Sequence, residues 1–143
     1  MNVLFDTSVL VPAVVDQLAN HAACFHLFAE RTTAPERGFC STHALAECYS
    51  VLTALPLRRR VTPDEARRLI DETFVARLTV VSLKTPAYTE AIARVAGQGL
   101  VSGVVYDALH VVAAEQAQCS RIYTYNTDHF LPLVSNGLQV TSP

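Results

Sequence analysis

The residues of this sequence with the means to do chemistry are acids set in apolar surroundings. Asp6 ends the run Asn2-Val3-Leu4-Phe5 and is followed by two hydroxyls, Thr7 and Ser8. Glu47 lies in Ala44-Leu45-Ala46-Glu47-Cys48, and Asp107 in Val104-Val105-Tyr106-Asp107-Ala108-Leu109. Near the C-terminal end, Thr124-Tyr125-Asn126-Thr127-Asp128-His129 adds Asp128 and the near-acid Asn126. A carboxylate among apolar neighbours costs free energy unless a cation or a set of N–H groups meets it. Several of them brought together would repel, and a hard divalent cation with oxygen ligands, Mg²⁺ or Mn²⁺, is the simplest relief. Mg²⁺ keeps several waters and leaves room for a phosphate oxygen, so such a pocket has the parts for metal-assisted phosphodiester hydrolysis. Asp6, Glu47, Asp107 and Asp128 are the candidate catalytic and metal-binding residues. Thr7, Ser8, Thr124 and Asn126 would orient carboxylates or waters by hydrogen bonding. Singly, each has an ordinary role: Asp6 as a helix N-cap, Glu47 as a solvated helix acid, Asp107 against a helix dipole, Asp128 in a turn.

What could bring these acids together is the succession of elements. Asn2 to Phe5, without polar alternation, reads as a strand buried on both faces of a parallel sheet. A helical segment from His21 to Arg31 follows, with Asn20 as its cap, and then a short strand over Gly38-Phe39-Cys40-Ser41. Ser41 or Thr42 caps a helix from His43 to about Leu55, closed by Pro56 and carrying Glu47. Thr62-Pro63-Asp64-Glu65 is a capping box with proline at the first helical position, opening a helix to about Ala76. Leu78 to Leu83 is the third strand, and Thr85-Pro86 opens a helix that stops at Gly97. A helix from about Val104 to Gln118 carries Asp107 and His110; Arg121 to Tyr125 is the fourth strand and Leu138 to Thr141 the last. Strands alternating with helices predict an α/β fold, a three-layer α/β/α sandwich around a mainly parallel sheet of about five strands, as one domain over residues 1–143. In such a sheet the acids, each following a strand or opening the next helix, lie along one edge, where open sheets bind ligands.

Composition narrows the classes. Half of the 143 residues are hydrophobic and 17% are charged, which excludes a disordered chain. A net charge of −2 excludes a protein that binds nucleic acid through bulk basicity, while leaving room for a local basic patch. The apolar runs are too short to span a bilayer, and Asp6 interrupts the first of them with no basic region before it, so the expected location is cytoplasmic. The four cysteines form no C-x-x-C pair and read as reduced core thiols, and the five histidines form no zinc pattern.

The motifs L-F-D-T-S, S-T-H-A-L-A-E-C-Y-S-V-L-T, Y-D-A-L-H-V-V-A-A and T-Y-N-T-D-H-F, in this order and spacing, resemble those of PIN-domain ribonucleases, and within them the VapC toxins of bacterial toxin–antitoxin pairs. The resemblance spans nearly the whole chain. It implies a Mg²⁺- or Mn²⁺-dependent endoribonuclease that inhibits translation and growth, with RNA as substrate, tRNA among the candidates, a small antitoxin as partner, and a homodimer. It matches Asp6, Glu47 and Asp107 to the family's metal-site acids one for one. The family commonly places an acid where this chain has Asn126, so Asp128 takes over the fourth position or Asn126 serves as a neutral ligand. Arg58, Arg59 and Arg60, with Arg67 and Arg68 on the following helix, form the basic cluster available to RNA phosphates, or else a solvated charge run. A receiver-like phospho-accepting domain is the alternative from another class, disfavoured because the only lysine is Lys84; an RNA-binding PIN protein with little nuclease activity is the alternative within the family.

Overall fold

A computed structural model describes residues 1–135 and 137–143. Its centre is a sheet of five strands, β1 (Asn2–Phe5), β2 (Arg37–Ser41), β3 (Thr79–Val81), β4 (Arg121–Tyr123) and β5 (Gln139–Thr141), in the order β3-β2-β1-β4-β5. Every pairing is parallel, with Leu4 of β1 in register with Phe39 of β2 and Ile122 of β4. Helices α1 (Thr7–Val14) and α2 (His21–Arg31) lead from β1 to β2, and α3 (Thr42–Ala54) and α4 (Pro63–Leu69) from β2 to β3. Helices α5 (Thr85–Gly97) and α6 (Val104–Gln116) lead to β4; α7 (Thr127–Phe130) and a 3₁₀ turn over Leu131–Leu133 lead to β5.

The uninterrupted apolar run of β1 is explained by a core on each side of it. Val3 and Phe5 point to one face with Cys40 and Tyr123, beneath Val9, Leu10, Phe28, Cys48, Leu52 and Phe74. Leu4 points to the other with Phe39 and Ile122, beneath Ala87, Ala91, Leu109, Val112 and Phe130. The period of two along a strand thus feeds two separate cores, and the three-layer sandwich expected from the sequence is the result. Gly38 is required where β2 passes Phe5: a Cβ there would stand 2.8 Å from Leu78 Cδ2 and 3.0 Å from Phe5 Cε2.

Strand order places the acids. The chain moves outward from β1 through β2 to β3, then crosses to the far side of β1 for β4 and β5. The carboxyl ends of β1 and β4 therefore flank the point where the order reverses, the crevice where doubly wound sheets bind ligands. The backbone N–H of Asp6 donates to the Tyr123 carbonyl at 3.0 Å, which ties the two strand ends together.

Several elements depart from the sequence expectation, each for a local reason. The third strand is only Thr79–Val81, because the Leu83 N–H turns aside to Thr42 Oγ1 at 3.2 Å. The fourth stops at Tyr123, because the N–H groups of Tyr125 and Asn126 go to Ser8 Oγ (3.0 Å) and Thr124 Oγ1 (2.9 Å) and curl the chain into the site. The capping box at Thr62 and Glu65 has both of its bonds, but the helix it opens widens into a π-helical stretch over Ile70–Val75. Asn20 stands at the N-cap of α2 without a capping bond from its side chain, Lys84 and not Thr85 occupies the N-cap of α5, and α6 ends at Gln116. All four cysteines are buried and free, as expected, and burial pushes the Cys40 and Cys119 thiols up to about 12, leaving them unreactive near neutrality. Among the described residues, no helix is long and apolar enough to cross a membrane.

Candidate active site

Asp6 occupies the N-cap position of α1 by its backbone, with extended φ and ψ of −79° and 157°, yet its side chain caps nothing. Its Oδ2 instead accepts from Ser8 Oγ at 2.7 Å and from Thr124 Oγ1 at 2.8 Å, and the residue is 3% exposed. Both hydroxyls are held by backbone donors, Tyr125 N–H to Ser8 and Asn126 N–H to Thr124. One oxygen of Asp6 is thereby fixed by β1, α1 and the end of β4, and the other, Oδ1, lies 3.5 Å from His110 Nε2.

Glu47 is delivered by α3, whose start is set by Ser41: its Oγ accepts from the Ala44 N–H at 3.0 Å. Glu47 Oε1 lies 2.7 Å from His110 Nε2, accepts from Thr7 Oγ1 at 3.3 Å, and stands 3.6 Å from His43 Nε2 one turn earlier on the same helix. Burial raises the Glu47 carboxyl, but the His110 hydrogen bond together with the His110 and His43 charges outweighs it and holds the carboxyl below its ordinary range. His110 is fully buried, stacked near-parallel on Phe130 at 6.4 Å, with Nδ1 3.0 Å from Ser41 Oγ. Burial opposes its charge; the Glu47 bond and the charges of Asp6, Glu47 and Asp107 overcome that and raise its pKa.

Asp107 stands in the first turn of α6, its Oδ2 3.5 Å from His129 Nδ1. Burial first, and then the charge of Asp6, push its carboxyl up to about 6. Asp6, Glu47, Asp107 and Asn126, with Thr7 and Ser8, line one cavity of about 400 Å³. Asp128 is on the exposed side of α7 and is not among the lining residues.

Among the described residues, no group of three or more His, Cys, Asp and Glu side chains is arranged to hold a metal ion; Glu47 is engaged by His110 and Thr7. The donor set still fits a hard divalent cation. Asp6 and Asp107 are carboxylates lining one cavity, and the burial and the Asp6 charge that lift Asp107 are what a cation would offset. Mg²⁺ in particular is held through one or two carboxylates and several waters.

The arginines lie elsewhere. Arg59 pairs with Glu65 at 2.9 Å, Arg67 with Asp64 at 2.9 Å and Asp71 at 3.4 Å, and Arg68 with Glu72 at 3.4 Å, while Arg58 and Arg60 are exposed. Arg59 and Arg68 line a separate groove of about 310 Å³ with Val14, Val15, Leu57 and Val61. His43 and His110, which approach the acids, and Ser41, which holds His110, escape a reading of the sequence for acids alone. The available signal was spacing: His110 follows Asp107 by one helical turn, and His43 precedes Glu47 by one.

The sequence model of the PIN domain matches residues 3–132. Ribonuclease VapC27 of Mycobacterium tuberculosis is 44% identical over 112 residues, which span 78% of this chain and 75% of that protein. Among solved structures, the sarcin–ricin loop cleaving toxin VapC20 of Mycobacterium tuberculosis superposes with a TM-score of 0.71 at 16% identity, over 89% of this chain and 92% of the other. VapBC2 of Rickettsia felis, bound to a fragment of its promoter DNA, gives 0.68 at 18% identity, over 100% and 99% of the two chains. The two structures share this fold; the sequence match carries the kinship. With the domain model covering nearly the whole chain and a VapC relative at this identity, the protein belongs to the PIN-domain family, in its VapC branch.

Proposed function

We propose that this protein is a metal-dependent endoribonuclease and the toxin of a toxin–antitoxin pair, acting in the cytoplasm against translation and growth. The observation that carries the chemistry is the presence of Asp6 and Asp107 in one cavity at the switch point of the sheet, with Asp107 lifted to about 6 by burial and by Asp6. Kinship to a ribonuclease supports the substrate, and the fold shared with the VapBC2 structure supports the partner.

Asp6 and Asp107 would hold Mg²⁺ or Mn²⁺, with Glu47 and Asn126 reached through water. The bound ion would lower the pKa of a water and offset charge on the phosphate. The chain's own residues prepare that chemistry. Ser8 and Thr124 fix the orientation of the Asp6 carboxylate before an ion binds. Glu47, held below its ordinary range, remains a carboxylate able to accept a proton from a water in the cavity. His110 keeps Glu47 pointed and compensates it before substrate arrives. The small antitoxin would neutralise the toxin, and the working form would be a homodimer.

The test is expression of the wild type and of the Asp107→Ala variant, with and without the cognate antitoxin. Growth arrest by the wild type, its relief by the antitoxin, and RNA cleavage by the purified protein that a chelator stops are the expected results. Growth arrest by Asp107→Ala equal to that of the wild type would remove the reading.

A further inference from the structure

We infer that Tyr106 is a stacking platform for an unpaired base next to the scissile phosphate, and hence a specificity-determining residue. The inference rests on the ribonuclease reading above and adds the side chain that receives a base.

Four rings run in a row from the interior outward. Phe130, fully buried in the second core, stacks on His110 at 6.4 Å and 11°; His110 meets His43 at 5.8 Å; His43 stacks on Tyr106 at 4.8 Å and 18°. The inner members are covered and the last is not: His110 is fully buried, the His43 side chain is 19% exposed, and Tyr106 is 48% exposed. The row thus ends in an open, prealigned aromatic ring. Gly103 passes the ring with no side chain to cover it; a Cβ there would come no nearer than 3.7 Å to Cδ2.

The position of that ring relates it to the chemistry. Tyr106 is next in the chain to Asp107, on the first turn of the same helix, and its stacking partner His43 lies 3.6 Å from Glu47. The Nε2 of His43 is buried and, among the described residues, has no hydrogen-bond partner; the rings on either side and the Glu47 carboxylate 3.6 Å away orient it. Tyr106 does not line the acid cavity itself, but a half-exposed aromatic stacked on His43 and one residue from Asp107 matches the way single strands are bound, by stacking successive bases on aromatic side chains. A duplex keeps its bases stacked on one another and offers the ring nothing, so the substrate this geometry selects is an unpaired loop, bulge or single strand.

The chain contains no tryptophan, so a Tyr106→Trp variant carries a single reporter at this position. Its emission is to be followed as single-stranded RNA is added in a chelator, against an abasic sugar-phosphate oligomer of the same length and an RNA duplex, with binding of each measured separately by anisotropy of a labelled strand. Quenching by the single strand, and none by the abasic oligomer or the duplex, is expected. In cleavage assays Tyr106→Ala should raise KM roughly tenfold or more, with kcat within about twofold, and Tyr106→Phe should restore KM where Tyr106→Leu does not. RNA that binds by anisotropy without quenching overturns the inference and leaves the nuclease reading intact; absence of RNA binding removes both. Unchanged cleavage by Tyr106→Ala with weakened antitoxin binding would show that the ring serves a protein partner, and would also overturn it.

Discussion

The Nε2 of His110 lies 2.7 Å from Glu47 Oε1 and 3.5 Å from Asp6 Oδ1, so one fully buried imidazole joins the acid of α3 to the acid at the end of β1. The bond network gives the ring its direction. Ser41 Oγ already accepts the Ala44 N–H, and its own proton is free to go to Nδ1, leaving Nε2–H for Glu47; when the ring is charged, both nitrogens donate. The residue that starts α3 therefore also sets the ring that aims the α3 acid.

Removing that ring should be felt in both fold and rate. His110→Ala leaves Ser41 and Glu47 without their buried partner and opens a void beside Phe130, a loss of about 3 kcal/mol that lowers Tm by roughly 10 °C. Cleavage should fall roughly 10- to 100-fold at saturating metal, the scale seen when residues that orient metal ligands are removed. Thermal unfolding and initial rates check this, and wild-type values in both would mean that the ring does not position Glu47.

Asp107 should trade stability for function. Its carboxyl is pushed up to about 6 in the folded state, so the folded chain holds that proton more tightly than the unfolded chain, whose ordinary value is about 3.9. This contribution is complete below about pH 4 and is lost as pH rises through about 6. In metal-free protein above about pH 7, Asp107→Asn should therefore be more stable than wild type by about 1–2 kcal/mol, with Tm higher by roughly 3–8 °C. The gap should close toward about pH 4, and Mn²⁺ should raise the wild-type Tm more than that of the variant. A variant less stable than wild type across the range would contradict the origin given for the shift.

Asn126 lines the cavity as a neutral oxygen donor. Asn126→Asp adds a carboxylate to the cavity that Asp6 and Asp107 line, which should lower the Mg²⁺ concentration needed for half-maximal cleavage roughly tenfold. A metal titration of cleavage rate measures it, and an unchanged midpoint would place Asn126 outside the metal's reach.

Charge pairing separates the arginines into two groups. All four are exposed, but Arg67 and Arg68 are matched by Asp64, Asp71 and Glu72, whereas Arg58 and Arg60 make no ion pair among the described residues. Alanine at Arg58 and Arg60 should each reduce the slope of log affinity for RNA against log salt by about 1, and alanine at Arg67 or Arg68 by much less. Equal slopes for all four variants would show that the ion pairs open on binding.

The legible parts of the molecule were those in which one local rule decides. The unbroken apolar run into Asp6, the capping box at Thr62 and the proline starts at Pro63 and Pro86 marked elements that the structure contains. Asp6, Glu47, Asp107 and Asn126 do share one cavity, as their place after strands suggested. The strand ends were overrun because Tyr125 and Leu83 look like strand residues, and only the tertiary hydrogen bonds to Ser8 and Thr42 stop them. Asp128 could not be separated from Asn126 by spacing alone, because which of the two faces the cavity depends on where β4 ends. The histidines were opaque for another reason: a His in an apolar helix reads as packing, and its partners, Ser41 and Glu47, are distant in sequence.

The account stands most directly on Asp6. Asp6→Asn retains an oxygen that can accept from Ser8 and Thr124, so the fold should survive while the charge is lost. The measurement is cleavage of a single-stranded RNA by wild type and by Asp6→Asn across a Mg²⁺ titration that begins in chelator. The wild-type rate should rise from zero to saturation, and the variant should be slower by about a hundredfold or more at every concentration. Equal rates in the two proteins, or cleavage by the wild type in chelator, would contradict a metal held by Asp6.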